Sequence, residues 1–155
     1  MKKLTLSLTA VIALLLGVWV NIAVKADFVT LEKQKYSWSS LQGKWLVVNY
    51  FAEWCVPCLR EIPELNQFHQ QNKQDILLFG VSFDQVSPEQ LKGLQEKYNI
   101  QFPLIAQLDT LPWLQPPSSL PTTYIIGADG EVKKQLKGEQ NAEKLLAVIT
   151  QLQRL

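Results

Sequence analysis

Cys55 and Cys58 are the only cysteines in the 155-residue sequence, and two residues separate them. Four uses of such a pair can be weighed against its surroundings. A structural zinc site needs four ligands, and besides the two thiols the chain has one histidine, His69, eleven residues beyond Cys58. Attachment of c-type haem needs a histidine directly after the second cysteine, and that position is Leu59. A purely structural disulfide closing so short a loop gains little from chain entropy. A redox-active dithiol remains, with no metal and no separate cofactor expected.

The elements around the pair are the ones such chemistry needs. Trp45-Leu46-Val47-Val48-Asn49-Tyr50-Phe51 is an almost unbroken apolar run, as in a central strand buried on both faces. A helical stretch follows Cys55 to about Gln71, with Leu59, Ile62, Leu65, Asn66 and Phe68 near helical spacing. Pro63 should kink it, because its ring meets the carbonyl of Leu59. Cys55 then stands at the helix N-terminus, where unpaired N–H groups and the macrodipole stabilise a thiolate. Such a thiolate can attack a substrate disulfide, and Cys58, one turn on, can resolve the mixed disulfide by attacking Cys55. Pro57 lacks an N–H, which costs nothing in a first helical turn.

Further along, Phe28–Leu31 and Tyr36–Trp38 read as short strands and Asp75–Phe83 as a second buried strand. Ser87 caps a helix opening at Pro88, with Leu91, Leu94 and Tyr98 on one face. Phe102–Ile105 is a short strand, followed by a loop holding Pro112, Pro116 and Pro117. Thr122–Ile126 and Glu131–Leu136 form a hairpin around Asp129-Gly130, and Asn141–Leu155 closes the chain as an amphipathic helix. The order βαβαβ, then ββα, predicts an α/β fold: a central mixed β-sheet flanked by helices on both faces.

Hydrophobic residues make up 47% of the chain and charged residues 19%, enough apolar content for a core. From Asp27 onward, 12 Lys/Arg face 14 Asp/Glu and no basic run occurs, so nucleic-acid binding is not expected. Residues 27–155 suit one domain; residues 1–26 do not belong to its core. Leu4 to Val24 is 21 residues without a charge, preceded by Lys2 and Lys3 and followed by Lys25. As a helix it spans roughly 31 Å, close to a bilayer's hydrocarbon thickness. Lys2 and Lys3 would stay in the cytoplasm, sending the rest of the chain across the membrane. One reading is a single transmembrane anchor with Trp19 near the outer interface. The other is a signal peptide cleaved near Ala26, leaving a soluble periplasmic domain. Either places the cysteines outside the cytoplasm, where disulfides persist.

Trp54-Cys55-Val56-Pro57-Cys58 resembles the Trp-Cys-x-x-Cys motif of thioredoxins. The longer stretch Val47 to Pro63 resembles the TlpA/ResA-like branch: membrane-anchored, extracytoplasmic thiol reductases, some serving cytochrome c maturation. Leu120-Pro121-Thr122-Thr123-Tyr124-Ile125-Ile126-Gly127-Ala128-Asp129-Gly130 matches the family's second hallmark, a cis-proline loop leading into a strand and hairpin. The resemblance implies a thioredoxin-like fold, with Cys55 as nucleophile and Cys58 as resolving thiol. Pro121 would form the cis peptide beside the dithiol, and the backbone around Leu120 would pair with an extended substrate. Trp54, packed against the active site or partly buried in the core, would help receive that substrate with Val56 and Pro57. The implied partners are a disulfide-containing client protein and a membrane thiol reductant.

Two positions refine the resemblance. Thioredoxin has a buried aspartate six residues before the first cysteine; here that residue is Asn49, which cannot titrate. Glu61 matches a glutamate of the ResA-like branch associated with proton handling. If it is shielded from water its pKa should rise, allowing proton exchange with the dithiol; otherwise it is a surface residue near a helix start. His69 reads as a solvent-facing helix residue. Strongly oxidising members of this fold often carry histidine between the cysteines, and Val56-Pro57 has none, so a comparatively reducing potential is expected. The rivals are a dithiol oxidase, a membrane-tethered binding module with a structural disulfide, and a peroxidase. The last lacks a Thr-x-x-Cys pattern, position 52 being Ala52. The segment Asp109–Ser119, with Trp113, departs from the shorter family connection; it either shapes client choice or has no task.

Overall fold

The computed structural model describes residues 26–72, 74–111 and 116–154. Its strands are β1 (Phe28–Thr30), β2 (Lys35–Tyr36), β3 (Trp45–Phe51), β4 (Ile76–Ser82), β5 (Leu104–Leu108), β6 (Thr122–Ile126) and β7 (Val132–Lys137). The helices are α1 (Val56–Asn72), α2 (Pro88–Lys97) and α3 (Ala142–Leu152), with a 3₁₀ turn at Trp38–Leu41. All seven strands form one sheet in the order β2-β1-β5-β4-β3-β6-β7. The pairs β3–β4 and β4–β5 are parallel, and the other four are antiparallel. The mixed sheet anticipated from the element order is therefore present.

Helices on both faces are not. Val47 and Phe51 of β3, Leu78 of β4, Leu104 of β5 and Ile125 of β6 share one core with Leu65 of α1, Leu91 of α2 and Leu145 of α3. The alternate residues Leu46, Val48, Tyr50, Phe79, Val81, Ile105, Tyr124 and Ile126 form a second core with Phe28 and Leu41. Tyr36 and Trp38 pack against that second core. Strand residues alternate between faces, so α1, α2 and α3 all lie on the first. For α1 and α2 the reason is handedness. The crossovers β3–α1–β4 and β4–α2–β5 step in the same direction along the sheet, and right-handed crossovers in one direction fall on one face. Aromatic side chains do the covering work opposite, where the Phe28 ring lies 4.5 Å from Trp38 and 5.2 Å from Phe79.

Local signals for element starts hold. Ser87 and Gln90 form a reciprocal capping box with Pro88 at the helix start, and the Asn141 side chain accepts from the Lys144 N–H. Pro63 lies inside α1 without ending it. Other boundaries move. The expected strand Tyr36–Trp38 stops at Tyr36, because Ser37 caps the 3₁₀ turn with its own capping box. The expected strand Phe102–Ile105 becomes Leu104–Leu108: Phe102 is core, while residues to Leu108 are drawn into pairing with β1. Gly80 is required by close approach, since a Cβ there would sit 2.5 Å from Leu104 Cδ2.

The expected anchor at residues 1–26 lies outside the described residues, save Ala26. Among the described residues no helix is long and apolar enough to cross a membrane. Part of the segment Asp109–Ser119, Trp113 included, also lies outside them.

Candidate functional site

β3 ends at Phe51, and a turn brings the Cys55 N–H to the Ala52 carbonyl at 3.1 Å. Cys55 immediately precedes the first residue of α1, and its carbonyl accepts from the Leu59 N–H at 3.1 Å. Cys55 and Cys58 are joined by a disulfide with Cα atoms 5.3 Å apart. The Cys58 backbone N–H donates to Cys55 Sγ at 3.3 Å. A helix-terminal N–H aimed at that sulfur, with the positive end of the dipole behind it, favours negative charge on Cys55 once the bond is reduced. Cys58 is fully buried in the helix-side core.

One turn beyond Cys58, Glu61 is 1% exposed. Asn49 Nδ2 donates to its Oε1 at 2.8 Å, and the Gln140 backbone N–H donates to its Oε2 at 2.8 Å. The second Asn49 N–H goes to Thr123 Oγ1 at 3.1 Å, across the β3–β6 pair. Burial pushes the Glu61 carboxyl up to about 7, against the lowering effect of both donors, with the nearby Glu139 charge adding a little upward. The carboxyl is shielded from water, and its proton affinity is raised well above that of an exposed glutamate.

The Leu120–Pro121 peptide is cis, as the resemblance implied. Thr122 pairs with Tyr50, so Pro121 sits beside the end of β3 from which the dithiol turn departs. Leu120 is half-buried and packs on the core that contains both cysteines.

Trp54 is not a core tryptophan: 64% of it is exposed beside the dithiol turn, and its Nε1 donates to Asp84 Oδ2 at 2.9 Å. Val56 is 61% exposed, Pro57 half-buried, and Phe83 is exposed just past β4. Glu53 Oε1 accepts from Lys97 Nζ at 2.8 Å and Tyr98 Oη at 3.2 Å, tying the turn to the end of α2. Beside this rim lies a cleft of about 550 Å³ lined by Tyr50, Phe83, Asp84, Val86, Ile105 and Leu111 among others. His69 is half-buried rather than fully solvent-facing. Among the described residues no cluster of three or more His, Cys, Asp or Glu could hold a metal ion.

Sequence reasoning missed Asn49 as a ligand of Glu61, and missed Gln140, Phe83 and Asp84. The one available signal was Asn49 itself, an amide inside a buried apolar strand that has to find partners.

The model of the AhpC/TSA family matches residues 21–135, most of the chain. The chain belongs to the AhpC/TSA family. This AhpC/TSA chain is 30% identical over 125 residues to thiol-disulfide oxidoreductase ResA of Geobacillus kaustophilus, covering 77% of the chain and 70% of that relative. A ResA of Bacillus cereus is 28% identical over 117 residues, covering 74% and 67%. Two solved structures show that the fold is thioredoxin-like. A thioredoxin family protein from Chlorobium tepidum superposes with TM-score 0.64 at 22% identity, covering 83% of this chain and 97% of that one. StoA from Bacillus subtilis superposes with TM-score 0.61 at 22% identity, covering 76% and 90%. This member of the AhpC/TSA family is a thiol–disulfide oxidoreductase of the ResA type, carrying the Cys55–Cys58 pair.

Proposed function

We propose that the chain reduces disulfides of exported client proteins, with residues 27–155 as the catalytic domain and residues 1–26 as its membrane anchor. The observation that carries this reading is the buried Glu61 carboxyl one turn beyond Cys58, on a helix whose Cys58 N–H points at Cys55 Sγ. The Cys55 thiolate attacks one sulfur of the client disulfide, forming a mixed disulfide and releasing the other client sulfur as a thiolate that takes up a proton. Cys58 gives its proton to the Glu61 carboxylate and attacks Cys55 Sγ, expelling the second client thiolate. The client has gained two electrons and the Cys55–Cys58 bond has formed. A membrane thiol reductant returns two electrons to the pair, and no further cofactor takes part. Trp54, Val56, Pro57 and the Leu120–Pro121 backbone receive an extended client segment.

Lys2 and Lys3 keep the N-terminus in the cytoplasm and place the domain on the extracytoplasmic side; the alternative is a periplasmic domain released by cleavage near Ala26. Apocytochrome c, whose Cys-x-x-Cys-His must be reduced before haem attaches, is a client class of the right chemistry. The test is the equilibrium reduction potential of Cys55–Cys58 in the full chain, titrated against dithiothreitol or glutathione. A value near or below about −270 mV supports a reductase, whereas one near about −120 mV makes the chain an oxidase.

A further inference from the structure

Asp27 is fastened into the domain by both its backbone and its carboxylate. Its N–H donates to the Tyr36 carbonyl at 2.8 Å, and its carbonyl accepts from Asp109 N–H at 2.8 Å and Thr110 N–H at 3.3 Å. Its Oδ2 accepts from Trp38 N–H at 2.8 Å, and its Oδ1 from the Thr110 hydroxyl. Trp38 Nε1 donates in turn to the Thr110 carbonyl at 2.9 Å. The uncharged run of the sequence ends at Val24, so only Lys25 and Ala26 separate it from this fixed point. Two extended residues reach about 7 Å.

Strand register says which end of the domain that point occupies. Phe28 pairs with Leu108, the last residue of β5, and β5 runs parallel to β4 and β3. Asp27 therefore lies at the end of the sheet where β3 delivers Cys55 and where Pro121 enters β6. In the order β1-β5-β4-β3, three inter-strand steps separate the entry strand from the dithiol strand, a sideways offset of about 14 Å. The exposed apolar side chains Trp54, Val56 and Phe83 are at this same end. Lys44 and the hairpin at Ala128, whose carbonyl accepts from Gly43 N–H, are at the other, a seven-residue strand or about 23 Å away.

We infer that the tether holds the dithiol end of the sheet at the lipid surface, so that Cys55–Cys58 exchanges electrons faster with thiols displayed at that surface than with the same thiols in the bulk. The inference rests on the reading of residues 4–24 as a retained membrane span. With only two residues between the uncharged run and Asp27, the end of the sheet that carries Asp27 stays close to the surface, while its flank remains open to an extended client segment. The short tether also raises the effective concentration of any thiol at the membrane surface. Apolar side chains exposed at that end suit contact with headgroups.

The test uses the full chain in phosphatidylcholine vesicles whose headgroups carry a nitroxide quencher. Fluorophores are placed singly at Gln85→Cys, near the dithiol end, or Lys44→Cys, at the opposite end, each in a Cys55→Ser, Cys58→Ser background. The expected result is several-fold stronger quenching at position 85. Equal or reversed quenching in vesicles that carry the chain overturns the orientation and leaves the anchor intact. A chain that fails to float with the vesicles overturns the anchor and the orientation together. Inserting a Gly/Ser spacer of about a dozen residues between Lys25 and Ala26 should erase the difference between the two positions; a difference that persists shows that the tether does not set the orientation. With the native cysteines, a dithiol-headgroup lipid should reduce Cys55–Cys58 several-fold more slowly in the spacer variant, while dithiothreitol reduces both equally. Unchanged reduction by the lipid dithiol refutes the proximity.

Discussion

Asn49 donates a hydrogen bond of 2.8 Å to Glu61, joining the central strand to the first helix directly behind the dithiol. The pair explains how a carboxyl 1% exposed remains able to ionise near neutral pH. Desolvation favours the protonated form, while the Asn49 amide and the Gln140 N–H stabilise the charged one. Because Asn49 cannot itself titrate, the proton equilibrium stays with Glu61.

Replacing Asn49 should therefore move that equilibrium. In Asn49→Leu the desolvation remains and one opposing donor is gone, so the Glu61 pKa rises above about 7. Carbon-13 titration of the Glu61 carboxyl by NMR in the oxidised protein reads this directly. An unchanged or lowered value means that the hydrogen bond contributes nothing to the ionised form.

The same carboxyl makes stability depend on pH. Its ordinary value is 4.5 and its folded value about 7, so between these limits the folded state holds a proton that the unfolded state has released. Its contribution to stability is full below about pH 4.5 and falls as pH rises to 7, by about 3 kcal/mol. Urea unfolding of the oxidised protein at pH 4.5 and pH 8, each compared with Glu61→Gln, should show the native protein losing ground to the variant at the higher pH. Parallel pH dependences would remove Glu61 from the account.

The two cysteines should separate by role. With a disulfide-containing peptide, Cys58→Ser should accumulate a mixed disulfide at Cys55, and Cys55→Ser should form none and lose all turnover. Mass spectrometry of the trapped species distinguishes them. Retained turnover in Cys55→Ser would overturn the assignment of the nucleophile.

Trp54 is exposed and its indole N–H reaches only one surface carboxylate, so Trp54→Ala should cost the fold no more than about 0.5–1 kcal/mol. For a peptide substrate, KM should increase while the reduction potential stays where it is. A large loss of stability with an unaltered KM would make Trp54 a structural residue instead.

Asn66 offers a purely structural contrast. Its Nδ2 donates to the Asn99 carbonyl and its Oδ1 accepts from the Gln101 N–H, both at 2.8 Å, bridging α1 to the chain that leads into β5. Asn66→Ala leaves both backbone groups short of a partner and should cost about 1–3 kcal/mol in urea unfolding. Redox potential should not change.

Much of the site was legible because it is local. A thiol pair directly after a buried apolar strand and before a helix needs nothing distant to declare itself, and Ser87-Pro88 and Asn141 mark helix starts through contacts three residues long. The cis Leu120–Pro121 peptide was legible only through family resemblance, since eight prolines look alike in isolation.

The sequence by itself determined the redox pair, the central strand behind it and the order of helices and strands, because these follow from spacing and periodicity within a few residues. Tertiary structure decided the rest. Glu61 meets Asn49 across 12 positions and Gln140 across 79, so its burial and its proton affinity exist only once the strand, the helix and the turn before α3 are assembled. Trp54 is an aromatic next to a cysteine in either setting; whether it packs inward depends on the partner it finds, here Asp84 after β4. The placement of α1 and α2 on one face came from the direction in which successive crossovers travel, a property of strand order that periodicity does not encode.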